Sequence, residues 1–432
     1  MAYCPKREQV KKDLIERGKM FEELHGRQAL KFYSGRASQI LPIDDPFGMY
    51  GIHGRQRKQK KYSPYNGRII VDTEAYYALQ EDCTPKLRPL ESLGKDDSYT
   101  AINGNDDETK SIATIDSGKQ EGGDNGRRVS LTDDERMFTV SQVKVFSLKD
   151  RHWCQFYVTS IQDVVWVPDA VDKLVLGPEE KILLLALVSS KEGNMNTGFD
   201  DFISNKGPFR IATSRRRKIM LASKIGKGLI ILLSGPPRVG KTLTAEAVAE
   251  KIQRPLYRLS AGDLGSTVRD VEHNLQKALN RCAHWNAVLL IDEADVNLEA
   301  RSVDNLDRNE LVSSFLRLLE YYEGIMILTT NRISSIDPAF ESRIDISLPY
   351  QDLDRDARAQ VWREFLTTQK DSQVFDSDID NVLSERALNG RKIKSAIKTA
   401  CILASSEQTT LALRHLLVVL NVRDNARALL GI

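Results

Sequence analysis

The chain has 432 residues, room for two or three domains, and its 41% hydrophobic content suffices for a sizeable core. Lys+Arg 62 against Asp+Glu 60 leaves a net charge of only +2, so no global field recruits nucleic acid or a membrane surface. Five scattered cysteines without a CxxC pair, and six histidines without an HExxH, argue against a disulfide framework and a zinc site and fit a reducing compartment.

At the start, Val10, Leu14, Met20, Phe21 and Leu24 recur near helical spacing, which predicts an amphipathic helix over 6–33. MAYCPKREQVKKDLIERG lacks the apolar core of a secretory signal, and its acids count against a transit peptide. A loop rich in Gly, Pro and basic residues follows, with RQRKQKK at 55–61, and GRIIVDTEAYY (67–77) then predicts a strand. Residues 1–91 thus read as a truncated α+β module. From 92 to 130 the chain is Asp, Gly, Asn, Ser and Lys with hardly a large apolar side chain; it buries too little to offset its ordering entropy and reads as a disordered linker.

Strands are expected at 137–146, 153–160 and 164–168, and PEEKILLLALV (178–188) predicts a helix with Pro in its first turn. These make a small α+β module over 131–200, a substrate, docking or packing unit without recognisable chemistry. Residues 201–227 form a second linker containing RRRK (215–218). Each basic run reads as a solvated loop, with a nuclear-import signal as the alternative. No apolar run reaches membrane-spanning length, so the expectation is a soluble intracellular protein, cytoplasmic or nuclear.

From 228 the pattern alternates. GLIILLS (228–234) is a near-continuous apolar run, as for a strand buried on both faces. LYRLS (256–260), AVLLID (287–292), IMILTT (325–330) and IDISL (344–348) are further strands separated by helical stretches, which means crossover units and a parallel sheet. After 352, DRDARAQVWREFL, GRKIKSAIKTACILA and TTLALRHLLVVLN predict an all-helical lid.

GPPRVGKT (235–242) satisfies G-x-x-x-x-G-K-[ST] between a strand and a helix, the context that cradles phosphates. Gly235, Pro236, Pro237, Arg238, Val239, Gly240 and the following Leu243 would offer main-chain N–H groups and a helix N-terminus to ATP. Lys241 adds a point charge for the β/γ-phosphates, and the Thr242 hydroxyl can ligate Mg²⁺. Arg238 stands where many such loops carry glycine. A left-handed backbone there would cost roughly 1–2 kcal/mol, about tenfold in affinity, a weakening rather than a loss.

AVLLIDEAD (287–295) ends a buried strand on carboxylates. Asp292 can hold Mg²⁺ through water opposite Thr242, and Glu293 can orient and polarise an attacking water. Both tasks need negative charge at the carboxyl edge of the sheet, where such folds bind ligands. The letters DEAD also occur in helicases, but a second helicase lobe with an arginine-rich motif is absent.

On these residues the segment 228–432 resembles the AAA family of ATPases. GKGLIILLSGPP, TAEAVAEKIQRPLYRLSAGDLG, LLIDEAD, RNELVSSFLRLLEYYEG and TTNR are similar to a group of fungal members, with a weaker likeness in LIERGKMF, GRIIVDTEAYY and LTDDERMFTVSQVKVFSLKDRHW. The resemblance implies an α/β P-loop AAA+ core, a five-stranded parallel sheet flanked by helices over 228–350. A C-terminal all-helical lid over 351–432 and a small α+β N-terminal region complete the expected architecture. It implies that Asn331, in TTNR, aligns the water and reads the γ-phosphate, and that Arg343, in DPAFESRID, is an arginine finger in a neighbouring subunit's site. Arg391, in NGRKIK, matches a second sensor on the lid. A turn-forming Asn, a salt-bridged arginine and a solvated helix arginine are the plain alternatives. A homo-oligomeric ring, a hexamer with Arg343 acting in trans, and an unnamed protein client are implied too.

The sequence departs from that family in three places. SAGDLGSTVRD (260–270) has no aromatic where many relatives grip a threaded polypeptide, and DPAFESRID has one arginine where many carry two. PFRIATSRRRKIMLASKI (208–225) interrupts the likeness and reads as an insertion, genuine or intronic. The leading function is an ATP-hydrolysing remodelling ring; a nucleotide-binding scaffold without turnover and a nucleic-acid motor are the alternatives.

Overall fold

The computed structural model describes residues 5–25, 28–40, 60–79, 130–192, 228–265, 267–295, 306–332, 336–367 and 373–430. The linker expected over 92–130, its last residue excepted, and the insertion 208–225 lie outside the described residues. The chain divides into two compact units, Met1–Val164 and Val165–Ile432.

The first unit begins with α1 (Pro5–His25), not with a helix reaching residue 33. Gly26 follows in the sequence, a residue that favours stopping a helix, and Phe32 and Tyr33 then suit a pleated surface. They lie in β1 (Ala29–Ile40), which pairs antiparallel along its length with β2 (Lys60–Val71), from Ala29 against Val71 to Ile40 against Lys60. The strand expected through residue 77 stops at Val71 because the Asp72 carboxylate accepts the N–H of Ala75 at 2.8 Å. That cap starts α2 (Thr73–Leu79). A capping box between Thr132 and Glu135 likewise makes α3 (Asp133–Met137) where a strand was expected to begin. Gly18 of α1 allows α3 to approach, since a Cβ there would lie 2.4 Å from the Arg136 carbonyl oxygen.

Next come β3 (Gln142–Ser147), β4 (Trp153–Tyr157), a 3₁₀ turn and β5 (Ile161–Asp163). Because β2 pairs β3, β3 pairs β4, and both β4 and β5 return to β1, the sheet closes into a small barrel. Closure pairs β1, β2, β3 and β4 in a ring and leaves the short β5, among the described residues, paired with β1 alone. Tyr33, Ala37, Tyr65, Ile69, Val145 and Phe156 fill its interior. Tyr33 and Tyr65 meet Phe156 edge-on at 4.4 and 5.0 Å between centroids.

The segment expected as one module, 131–200, therefore divides between the two units. Its strands complete the barrel, whereas α4 (Pro178–Glu192) buries Leu184 and Val188 in the core of the second unit. Residues 164–168, expected as strand, carry no ladder, and Pro168 opens a 3₁₀ turn.

In the second unit β6 (Leu229–Ser234), α5 (Lys241–Lys251), β7 (Leu256–Ser260), α6 (Ala261–Leu264) and α7 (Val268–Trp285) follow in order. Then come β8 (Val288–Asp292), α8 (Leu306–Glu320), β9 (Ile325–Thr330) and β10 (Ile346–Pro349). The strands form the expected five-stranded parallel sheet in the order β10-β6-β9-β8-β7. Every residue of β6 and β9 is buried, which is why both read as unbroken apolar runs.

The carboxyl-terminal region is helical, as expected. α9 (Arg355–Thr367), α10 (Gly390–Ser406) and α11 (Leu413–Leu430) share a separate core around the fully buried Trp362. Among the described residues no helix is long and apolar enough to cross a membrane.

Candidate functional site

The turn from β6 into α5 is made by residues 235–240. Gly235 has φ 141°, and a Cβ there would sit 2.2 Å from the Tyr350 carbonyl oxygen, so both backbone angle and space demand glycine. Gly240 has φ 114° with open space beside it, so there the angle alone decides. Arg238 has φ 72°, the left-handed region in which a side chain is strained. Arg238→Gly should relieve about 1–2 kcal/mol, partly offset by glycine's freedom in the unfolded chain. Read as affinity, the ceiling is about tenfold tighter ATP binding. A calorimetric Kd and a melting temperature both equal to wild type would show that Arg238 bears no such cost.

Lys241 is buried at the first turn of α5. Its ammonium donates to the carbonyl oxygens of Gly235 at 2.6 Å and Pro236 at 2.7 Å, and to Asn331 Oδ1 at 2.9 Å. Burial holds its pKa below the usual lysine value, while the charges of Asp292, Asp295 and Glu293 pull it back up. The Thr242 hydroxyl donates to both Asp292 oxygens at 3.2 Å. Glu293 has φ 57°, a strained angle for a non-glycine residue.

Two further residues complete the cluster. The Thr329 hydroxyl donates to Asp292 Oδ1 at 2.6 Å and accepts the Glu293 N–H at 3.0 Å, tying both acids to β9. Arg258 of β7 places Nη2 at 2.6 Å from Asp292 Oδ2. Motif reading passed over both because neither is a fixed motif position. Strand register would have found them: Ile291 faces Leu328, and Ser260 faces Asp292.

The loop 235–243, Asp292, Glu293 and Asn331 thus meet at the carboxyl edge of the sheet. Arg343 does not join them. It opens on a polar cleft shared with Gly228, Ile230, Glu320 and Asp345, at the amino end of β6. Its Nη1 donates to the Ala339 carbonyl at 2.9 Å, and Nη2 lies 3.7 Å from Glu320 Oε2. Arg391 is exposed on the first turn of α10, behind an Asn389 cap. Leu243, one residue past Thr242, is 53% exposed.

The donor set fits a triphosphate with its divalent cation: helix N-terminal N–H groups, one ammonium, and hard hydroxyl and carboxylate oxygens. Residues 231–351 match the family described as "ATPase family associated with various cellular activities (AAA)". The chain contains an AAA domain. It is similar in this part to the ATP-dependent zinc metalloprotease FtsH of Oenococcus oeni, 27% identical over 223 residues, covering 44% of this chain and 30% of that protein. FtsH 3 of Sphaerobacter thermophilus is 29% identical over 196 residues, 40% of this chain and 37% of the relative. FtsH of Streptococcus pneumoniae serotype 4 is 28% identical over 229 residues, 46% and 34%. The chain therefore spans about a third of the length of these relatives, around its AAA domain.

Proposed function

We propose that the chain is an ATP-hydrolysing AAA ATPase that works as a ring oligomer, a hexamer, and remodels a protein or protein complex. One observation carries this reading: a buried lysine, a hydroxyl–carboxylate pair and a second acid converge where a strand, a glycine loop and a helix N-terminus meet. ATP supplies the bond to be broken, and Mg²⁺ the charge that counters its phosphates. Lys241 and the N–H groups of the loop hold the phosphate oxygens. Thr242 and Asp292 would hold the cation. Glu293 orients a water and receives its proton, while Asn331 fixes the direction of approach. Arg343, remote from its own loop, serves a neighbour's site, and Arg391 reports the nucleotide to the lid.

The FtsH relatives are named for a zinc metalloprotease, but no HExxH occurs anywhere in this sequence, so only the ATPase half of that likeness is carried over. The likeness to fungal members rests on the sequence phrases quoted above. Isothermal calorimetry with Mg-ATP tests the proposal: one site per chain is expected, lost in Lys241→Ala. Heat from wild type that matches the Lys241→Ala protein would remove it.

The strained Arg238 and the 260–270 segment without an aromatic favour a second reading, a nucleotide-binding scaffold. Saturable binding without phosphate release at any protein concentration would select it over the first.

A further inference from the structure

Arg258 belongs to the fold's edge rather than to its motifs. β7 ends the sheet order, so among the described residues this strand pairs with β8 alone. Register sets Ser260 beside Asp292, and Arg258, two residues earlier on the same face, reaches forward along the strand to the carboxylate. The two partners are unequal. Arg258's side chain is 53% exposed, whereas that of Asp292 is 13% exposed and stays anchored by Thr242 and Thr329.

A carboxylate offers about four acceptor positions. Here three donors are in place: the Thr329 hydroxyl on Oδ1, the Thr242 hydroxyl shared between both oxygens, and the guanidinium on Oδ2. Of these partners Arg258 is the exposed one, so it is the one that a cation held at Asp292 would turn out into solvent. Its charge would also repel a divalent cation held at Asp292. A second carboxylate is within electrostatic reach: the charges of Arg258, Asp292 and Lys394 all act on Glu246 of α5.

We infer that Arg258 competes with the divalent cation for Asp292 and so sets the Mg²⁺ concentration at which the site takes up nucleotide. The inference rests on the ATPase reading above. The plain alternative is a surface ion pair, and such pairs contribute about 0–1 kcal/mol to folding with no bearing on metal. A competing pair of that strength raises the metal requirement by at most about fivefold.

The experiment is a MgCl₂ titration of fluorescent ADP binding to wild type and Arg258→Gln, with nucleotide affinity in EDTA measured alongside. The variant should reach its Mg²⁺ midpoint at a lower concentration, by up to about fivefold, while its affinity in EDTA is unchanged or weaker. A damaged fold would instead weaken both. Thermal melting in EDTA supplies a readout free of nucleotide: without its cationic partner Asp292 adds to the repulsion of its acidic neighbours, so Arg258→Gln melts lower and gains more from added Mg²⁺. Equal midpoints with binding intact overturn this inference and leave the ATPase reading standing. No Mg²⁺-dependent binding in wild type overturns both.

Discussion

In Glu293→Gln protein, ATP binding stays near wild type while phosphate release falls by about 10²–10⁴-fold. The separation follows from how the residue is held. Its backbone N–H bonds to the Thr329 hydroxyl and its φ is 57°, and neither depends on whether the side chain ends in a carboxylate or an amide. The substitution keeps shape and removes the one feature that can take a proton from water. Asp292, Thr242 and Lys241 keep their own bonds, so the groups proposed to hold phosphate and metal stay in place. Steady-state phosphate release across a range of protein concentrations, paired with calorimetric binding, checks both halves. Equal turnover in the two proteins would strip Glu293 of the role; loss of binding would mean that the change had disturbed Asp292.

Local pattern carried most of the second unit. LIILLS and IMILTT read as buried strands because both faces of β6 and β9 are covered, so no polar alternation interrupts them. GPPRVGKT read as a phosphate loop because its chemistry is contiguous in sequence. Interactions between distant segments were much less legible. The barrel of the first unit closes by pairing β2 with β3 across residues 80–129, and nothing local announces such a partner. TEAYY resembled strand because tyrosines suit sheets, yet the Asp72 cap turned it into helix. The site divides the same way. Lys241, Thr242 and Asp292 stood out by spacing, whereas Thr329 and Arg258 gain their contacts only from the register of parallel neighbours.

Arg343→Ala should leave ATP binding in place and lower turnover by about 10³–10⁵-fold. The expectation comes from where the arginine stands. Its cleft holds Gly228 and Ile230 at the start of β6, while the phosphate loop leaves the far end of the same strand after Ser234. An arginine so placed cannot reach its own chain's phosphates without crossing the sheet, so any part in turnover must be played at another copy's site. Its present contacts include the Ala339 carbonyl at 2.9 Å, the Ser342 hydroxyl at 3.2 Å and the Glu320 carboxylate at 3.7 Å, and the last is loose enough to be given up to a neighbour. The trans arrangement has a sharper signature than the single variant. In mixtures of Arg343→Ala with Glu293→Gln, each otherwise inactive, some neighbouring pairs unite an intact Glu293 with an intact Arg343 from the other chain. Phosphate release should then rise well above either protein alone and peak at intermediate ratios. A mixture no faster than the sum of its parts, in oligomers shown by light scattering to exchange subunits, would return Arg343 to a structural salt bridge within its own chain.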